Sequence, residues 1–531
     1  MNSSINSSKT SLLRETSNTS KYKALRAVLG DEGIIIKDQF QISQDIDGSS
    51  SSLGCMYFLT GNEQSINIQY IPYKRILTVR DVDISLTSSI SSSSNNLPSS
   101  SSQSNETGIY KNLQNEEHLV EIVFVRENKD HLIPTSIILQ IDTILNNNSN
   151  NNKIDIVDKI YSLAYKNTKP KKSILILINP NGGRGKGLDL FNSRSKPIFE
   201  AAECKVEIKE TQYYKHAIEI VQNIDINNYD IIACASGDGI PYEVLNGLYK
   251  RKDRAEAFNK LAITQLPCGS GNAMSESCHG TGEISYATLS TIKAVEATID
   301  LMAITQHNEV TISFLSQSIG VIASADVDTE HLAFLGPVRF DLGVAYGVFT
   351  RAKYPCDVYI KFATKSKDEL RNHYHSNLNL PLVNQIKEEN FQLKYNANTE
   401  IPSDWEQIDT DLTDNLGIFY TGKMPYVSKN TQFFPTALPN DGTLDLVMMD
   451  SRTSILKQVP ILLSVDKGSH IHAPEIHYSK ILAYRLIPKI KQNGSLSIDG
   501  ERYDYDEYQC EVLPNTAKIL LNDGSFAETN F

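Results

Sequence analysis

The stretch Ser173-Ile-Leu-Ile-Leu-Ile-Asn-Pro-Asn-Gly-Gly-Arg-Gly-Lys-Gly187 decides the fold. Its first half, Ile174 to Ile178, is a short, wholly apolar run of the kind a strand shows when a parallel sheet is covered on both faces. Its second half is a turn with four glycines and two cations, in which backbone N–H groups and charged side chains can close on a phosphate. The spacing fits neither the Walker A pattern, because Leu188 follows Gly187, nor the GxGxxG dinucleotide pattern. Taken alone, a structural glycine turn explains it equally well.

Two further runs repeat the device. Tyr229-Asp-Ile-Ile-Ala-Cys-Ala leads into Ser236-Gly-Asp-Gly239, and Leu261-Ala-Ile-Thr-Gln-Leu leads into Pro267-Cys-Gly-Ser-Gly-Asn272, each followed by a helix-like stretch. Pro241 stands where a helix's first turn tolerates proline, so Asp238 falls at a helix N-terminus between two glycines. A carboxylate there can accept a hydroxyl proton or hold magnesium; an isolated Asp in a turn or N-cap reads just as well. Three such turns on successive parallel strands would face one crevice at the strands' carboxyl ends, which turn chemistry alone does not explain.

A chain of 531 residues needs more than one folded unit, and 40% apolar residues is enough to build cores. The net charge of −12 argues against a nucleic-acid footprint. Seven scattered cysteines, an odd number without CxxC spacing, point to a reducing compartment. No run of about 18 apolar residues and no signal-peptide core is present, so the expectation is an intracellular, cytoplasmic protein whose membrane contact is peripheral.

Residues 1–20 read as a disordered tail, 21–140 as a β-rich module containing the Ser-rich linker 86–107, and 141–170 as a linker with a short helix. Strands are expected at Cys55–Thr60, Ile66–Tyr73 and His118–Val125. Residues 171–300 carry the βαβ grammar, and 301–531 are strand-rich and mostly antiparallel, interrupted by a charged, Asn-rich insertion or long loop at about 364–412. The basic stretch Lys166 to Lys172 reads as a solvated linker. In Gly468-Ser-His-Ile-His-Ala-Pro-Glu-Ile-His477, His470 and His472 would share one face of a strand near Glu475 and His477, either as metal ligands or, the favoured reading, as a polar edge strand.

Asn179-Pro-Asn-Gly-Gly, Ser236-Gly-Asp-Gly with Glu243-Val-Leu-Asn-Gly-Leu248, Leu266-Pro-Cys-Gly-Ser-Gly-Asn-Ala273, Leu438-Pro-Asn-Asp-Gly-Thr-Leu-Asp-Leu446 and Ile498-Asp-Gly-Glu501, in that order, resemble the catalytic region shared by diacylglycerol kinases and sphingosine kinases. The resemblance covers about 171–531 and is strongest toward the fungal long-chain base kinases. It implies an α/β nucleotide domain related to that of NAD kinases, followed by a β-sandwich that binds lipid, with ATP between them. The implied reaction is magnesium-dependent transfer of the ATP γ-phosphate to the primary hydroxyl of sphingosine, dihydrosphingosine or phytosphingosine. A diacylglycerol or ceramide kinase and an inert lipid- or nucleotide-binding scaffold are the alternatives.

On that resemblance Asp238 is the general base. Asn179, Asn181, Gly182, Gly183, Arg184, Gly185, Lys186, Ser236, Gly237, Gly239, Gly269, Ser270, Gly271, Asn272, Arg339, Asp499, Gly500 and Glu501 line the ATP site. Asp499, Glu501 and Asp441 are the magnesium candidates. Ser318-Ile-Gly-Val-Ile-Ala-Ser-Ala-Asp-Val-Asp328 looks like the sphingosine kinase segment in which Asp328 and Ser318 hold the lipid's polar head. A desolvated ammonium wants a carboxylate partner, whereas diacylglycerol would leave that carboxylate unpaired. A second family arginine upstream of Arg339 is replaced by Ala333-Phe334. The implied partners are the lipid and a membrane surface, of the endoplasmic reticulum, Golgi or endosomes; a homodimer is left open.

Overall fold

The computed structural model describes residues 25–37, 41–42, 66–67, 69–82, 118–141, 155–166, 168–180, 182–329, 338–490 and 494–531. The expected tail 1–20, the strand at Cys55–Thr60 and the linker 86–107 lie outside them. Two compact units result: one holds the described residues up to 164 except 125–134, and the other holds 125–134 and those from 165 onward.

The first unit is β-rich. Strands β1 (Leu25–Leu29), β2 (Gly33–Ile36), β5 (Tyr70–Pro72), β6 (Ile76–Asp81), β7 (His118–Asn128) and β8 (His131–Ile141) form one sheet in the order β5-β2-β1-β8-β7-β6, while β3 (Gln41–Ile42) and β4 (Ile66–Asn67) pair separately. A helix, Ile156–Ala164, buries Ile156, Ile160 and Ala164, one stripe at four-residue spacing.

In the second unit, β9 (Ser173–Ile178), β10 (Lys205–Glu210), β11 (Ile231–Ser236) and β12 (Ala262–Pro267) are parallel in the order β10-β9-β11-β12. The three apolar runs are neighbours at its centre, every residue of β11 and β12 being buried. Strand β10 takes the edge, and its alternating Lys-Val-Glu-Ile-Lys-Glu is largely exposed, as an edge strand's should be. The helices Gly239–Tyr249, Arg254–Lys260 and Ala273–His279 return the chain between strands.

The sheet does not stop there. Strands β13 (Val295–Gln306), β14 (Glu309–Ser313), β15 (Ser316–Gly320), β16 (Cys356–Thr364), β17 (Glu406–Gln407), β18 (Leu416–Gly422), β19 (Leu444–Asp450), β20 (His477–Pro488), β21 (Leu496–Ile498), β22 (Glu501–Tyr503) and β23 (Tyr508–Leu521) are hydrogen-bonded onto it. The junction is β23, which pairs parallel with β12 and antiparallel with β13 and β20. Residue 300, the expected boundary, sits inside a strand, because the 12-residue β13 pairs with the 14-residue β23, which satisfies its backbone.

Period-two alternation gives β18 and β19 two buried faces. Phe419, Leu446 and Met448 enter one apolar core, and Ile418, Tyr420, Val447 and Met449 enter another on the opposite face. The stretch 364–412 is not a plain loop. Ser366 and Glu369 form a capping box that starts the helix Lys367–Asn377, Phe391 packs against Phe258, and Trp405 is buried edge-on to Tyr395. Lys172 is likewise not a solvated linker cation: it is buried, its Nζ donates to the Thr291 carbonyl at 3.1 Å, and burial pushes its pKa down to about 8.

Candidate active site

The loops after β9, β11 and β12 meet at the carboxyl edge of the sheet. A Cβ on Gly269 would lie 2.2 Å from the Gly237 Cα, and one on Gly237 would lie 2.8 Å from the Gly271 carbonyl oxygen, so the second and third loops touch backbone to backbone and only glycine fits. A Cβ on Gly187 would lie 3.2 Å from the Asn179 carbonyl oxygen and 3.7 Å from the Cys268 Cβ, which brings the first loop against the third. The Asn272 side-chain amide spans its own loop, accepting from Gly269 N and donating to Gly269 O, both at 3.1 Å.

Asp238 lies at the centre of this convergence. Its side chain does not cap the helix Gly239–Tyr249 that follows it. It reaches across instead: one carboxylate oxygen accepts from Ala273 N at 3.0 Å, and the other from Met274 N and Gln265 Nε2, each at 3.1 Å. Those donors fix its orientation. Burial nevertheless pushes its carboxyl above the usual range, the three donors pull it back, and the charge of Asp326 raises it further. A rigid carboxylate of raised pKa in a cleft is suited to taking a proton. Gln265, which positions it, carried no signal in the sequence beyond its place in an apolar strand.

The profile of the diacylglycerol kinase catalytic domain matches residues 173–304, the stretch that carries all three loops. Sphingoid long chain base kinase 5 of Saccharomyces cerevisiae is 44% identical over 471 residues, covering 78% of this chain and 68% of that protein. The chain belongs to the sphingoid long-chain base kinase family. Sphingoid long chain base kinase 4 of Schizosaccharomyces pombe is 29% identical, over 70% of this kinase and 79% of its own length. A solved structure, a putative diacylglycerol kinase from Bacillus anthracis, is 16% identical with a TM-score of 0.47, over 67% of this chain and 97% of that one.

The kinase's closing motif is split between two jobs. Asp499, buried and at φ +52°, accepts from Ser313 Oγ (2.7 Å) and from the amides of Phe314, Leu315 and Ser316 (2.9 to 3.0 Å). It therefore fastens the β14–β15 turn, and burial raises its carboxyl to about 6 in spite of those donors. Glu501 faces the cleft: its Oε1 would lie 3.4 Å from a Cβ on Gly239, and its Oε2 accepts from the Tyr214 hydroxyl at 2.8 Å. Gly500 between them is exposed at φ +84°. Sequence reasoning missed Tyr214, which lies in a polar loop and meets Glu501 only through the fold.

Other predicted residues fall in different places. Ser236 is buried and donates to Gly237 O at 2.7 Å, whereas Ser270, Gly185 and Lys186 are exposed. Gly182 packs on Asn179. Asn181 and the side chain of Arg184 lie outside the described residues, as do the Arg339 side chain, on the helix Val338–Thr350, and Ala333-Phe334.

Asp441 is not brought to the cleft carboxylates. Lys423 and Asp300 lie 2.6 Å apart, Lys423 also reaches Asp441 at 2.6 Å, and Lys480 bridges Asp441 (3.1 Å) and Asp445 (3.0 Å), all side chains at most 1% exposed. Burial alone would raise the Asp441 carboxyl, but Lys423 and Lys480 hold it well below its ordinary value. With His373 on its second oxygen at 3.0 Å, it is committed to this network. Of the three magnesium candidates only Glu501 keeps a carboxylate directed at the loops; the other two spend their oxygens on protein donors and cations.

His470 and His472 belong to a 3₁₀ turn, Ser469–His472, rather than to a strand. His470 is buried against Phe433, its Nε2 lies 3.1 Å from the Phe433 carbonyl oxygen, and burial pushes it down to about 4. Glu475 pairs with Lys457 at 2.7 Å. The polar groups of that stretch are thus dispersed.

Proposed function

We propose that this lipid kinase transfers the γ-phosphate of ATP to the primary hydroxyl of a sphingoid long-chain base, with Asp238 accepting the hydroxyl's proton. The single observation that carries the reading is the Asp238 carboxylate, held by three donors where three glycine loops converge. The loop after β9, with Asn179, Arg184 and Lys186, supplies glycines and cations for the phosphates, and the Gly237–Gly271 contact keeps the second and third loops close under them. As the hydroxyl oxygen bonds to the γ-phosphorus, the bond to the β,γ-bridging oxygen breaks, ADP departs and the proton passes to Asp238. Magnesium, when bound, neutralises phosphate charge, and Glu501 is the residue suited to hold it.

The alkyl chain is assigned to the second apolar core, where Ile322, Ile418, Phe433 and Met449 lie on the same side of the sheet as Ser318. This is the lipid-binding role expected of the region after 300. Peripheral membrane contact is supported by two helices that pack together, Val338–Thr350 and Ile455–Leu463. They expose Leu342, Tyr346, Phe349, Leu456, Val459 and Leu463, up to 88% for Leu456. No helix among the described residues is long and apolar enough to cross a membrane.

The test is transfer of labelled phosphate from ATP to a panel of sphinganine, phytosphingosine, ceramide and diacylglycerol. Wild-type protein should phosphorylate the first two, and Asp238→Asn should lose on the order of 10²–10⁴-fold in turnover while still binding ATP. Undiminished turnover in that variant would remove Asp238 as the base.

A further inference from the structure

The loop between β10 and the helix His216–Asn223 carries two exposed aromatic rings, Tyr213 at 52% and Tyr214 at 64%. Its backbone is tied down. Lys215 stands in the left-handed region at φ +67°, and its amide and that of Ala217 donate to the two carboxylate oxygens of Glu243, at 3.0 and 2.9 Å. Glu243 is buried in the helix that follows Asp238, so the segment beginning at Asp238 also fixes this loop. Tyr213 turns back on its own helix: its ring stacks on His216 with centroids 4.4 Å apart, and its hydroxyl donates to Glu219 at 2.7 Å. Tyr214 turns the other way, and its hydroxyl donates to Glu501 Oε2 at 2.8 Å.

Glu501 sits on β22, an outermost strand of three residues paired, among the described residues, only with β21. So short an edge strand fixes the backbone better than it fixes a long side chain, whose rotamer freedom other contacts must remove. Two tyrosine contacts reach the hairpin. Tyr503, two residues on and so on the same face of the strand, hydrogen-bonds hydroxyl to hydroxyl with Tyr242 of the helix Gly239–Tyr249 and places the strand. Tyr214 acts on the carboxylate itself. With Oε2 taken by that phenol, Oε1 is the oxygen turned toward Gly239 and the glycine loops.

We infer that Tyr214 is a positioning residue for phosphoryl transfer: its hydroxyl holds Glu501 Oε2, so that Oε1 alone is presented to a magnesium ion on the phosphates. The inference rests on the reading of Glu501 as the magnesium ligand and deepens it. A carboxylate free to swing offers a metal either oxygen or both, whereas one fixed through its outer oxygen offers a single, pre-aimed donor. Magnesium, which demands near-ideal octahedral placement, gains from the second arrangement. Glu243 stands one step further back, holding the loop that holds the tyrosine.

The experiment uses manganese as the paramagnetic stand-in for magnesium, titrated into the full chain with saturating ADP and read by electron paramagnetic resonance of the free ion. ADP binding without metal is measured separately in EDTA. Tyr214→Phe keeps the ring beside Lys215 and removes only the hydroxyl. It should weaken manganese binding roughly 10- to 100-fold, leave metal-free ADP binding unchanged and raise the magnesium concentration needed for half-maximal turnover. Tyr213→Phe, the neighbouring control, should change none of the three. In a Glu501→Gln background the same Tyr214→Phe change should cost little more, because the carboxylate it holds has gone. Thermal unfolding checks that each variant is folded. The inference is overturned by unchanged manganese affinity in Tyr214→Phe, by an equal loss of metal-free ADP binding, or by an undiminished loss in the Glu501→Gln background. Unchanged manganese affinity in Glu501→Gln alone would overturn the reading of Glu501 as the ligand, a result distinct from those three.

Discussion

Replacing Gly269 with alanine tests whether the contact between loops is what places Asp238, the proposed base. The new Cβ would stand 2.2 Å from the Gly237 Cα and 2.3 Å from its nitrogen. Carbon atoms pack at about 3.5–4.0 Å, so the loops must part by about 1.3 Å or more. The residue displaced is the immediate neighbour of Asp238, and a misplacement of about 1 Å at a reacting group costs roughly 100-fold. Forcing an extra methyl into packed surroundings also costs about 1–3 kcal/mol of stability. Gly280→Ala is the matched control: it closes the far end of the helix Ala273–His279 at φ +66°, and its Cβ meets Ala527 at an ordinary 3.6 Å. That change costs about 1–2 kcal/mol through the left-handed backbone and parts no loops. Turnover with labelled ATP and thermal unfolding are measured on both. If Gly269→Ala keeps turnover within threefold of wild type, or loses no more than Gly280→Ala, the loop contact does not set the geometry of the site.

Lys423→Met leaves Asp300 and Asp441 buried without their shared cation, and urea unfolding should show a loss of about 3–5 kcal/mol; a loss under about 1 kcal/mol would contradict the network's role. Because burial raises the Asp238 carboxyl, the acid limb of the kcat profile should lie above the ordinary Asp value of about 3.9 and turnover should fall as pH drops through it, since the protonated acid cannot take the hydroxyl's proton; a limb at or below that value would refute the assignment. Phe349→Glu combined with Leu463→Glu should weaken binding to phosphatidylcholine vesicles more than 10-fold, read by sedimentation, while turnover on detergent-dispersed lipid is retained; unchanged sedimentation would exclude the patch.

The central sheet could be read from the sequence because strands buried on both faces announce themselves as short, largely apolar runs, and each of the three leads into glycines. Strand β10 could not: Lys-Val-Glu-Ile-Lys-Glu alternates weakly and belongs to an edge. Asp238 was legible by its position between glycines, but its holders were not, because Gln265 looks like one residue of a buried strand and the Ala273 and Met274 amides carry no side-chain signature. Asp499 is the reverse case. Its motif reads as a ligand, while the three amides that occupy it come from a turn more than 180 residues earlier in the chain. Asp326 and Asp328 are two residues apart, yet Asp326 accepts from Ser497 while Asp328 pairs with Arg502, a division the sequence does not announce.

Strand β23 closes the sheet from the far end of the chain, pairing Val295 with Leu521 and Ala262 with Lys518. Contacts across more than 200 residues form late and slowly, since loop closure must precede any gain from pairing. During synthesis β12, a strand buried in the finished sheet, waits as an open edge until the last strand arrives, which makes the nascent protein a candidate for edge-to-edge aggregation. A version shortened before Tyr508 would therefore fail as a folding unit before it failed as a catalyst, although every residue of the three glycine loops would still be present.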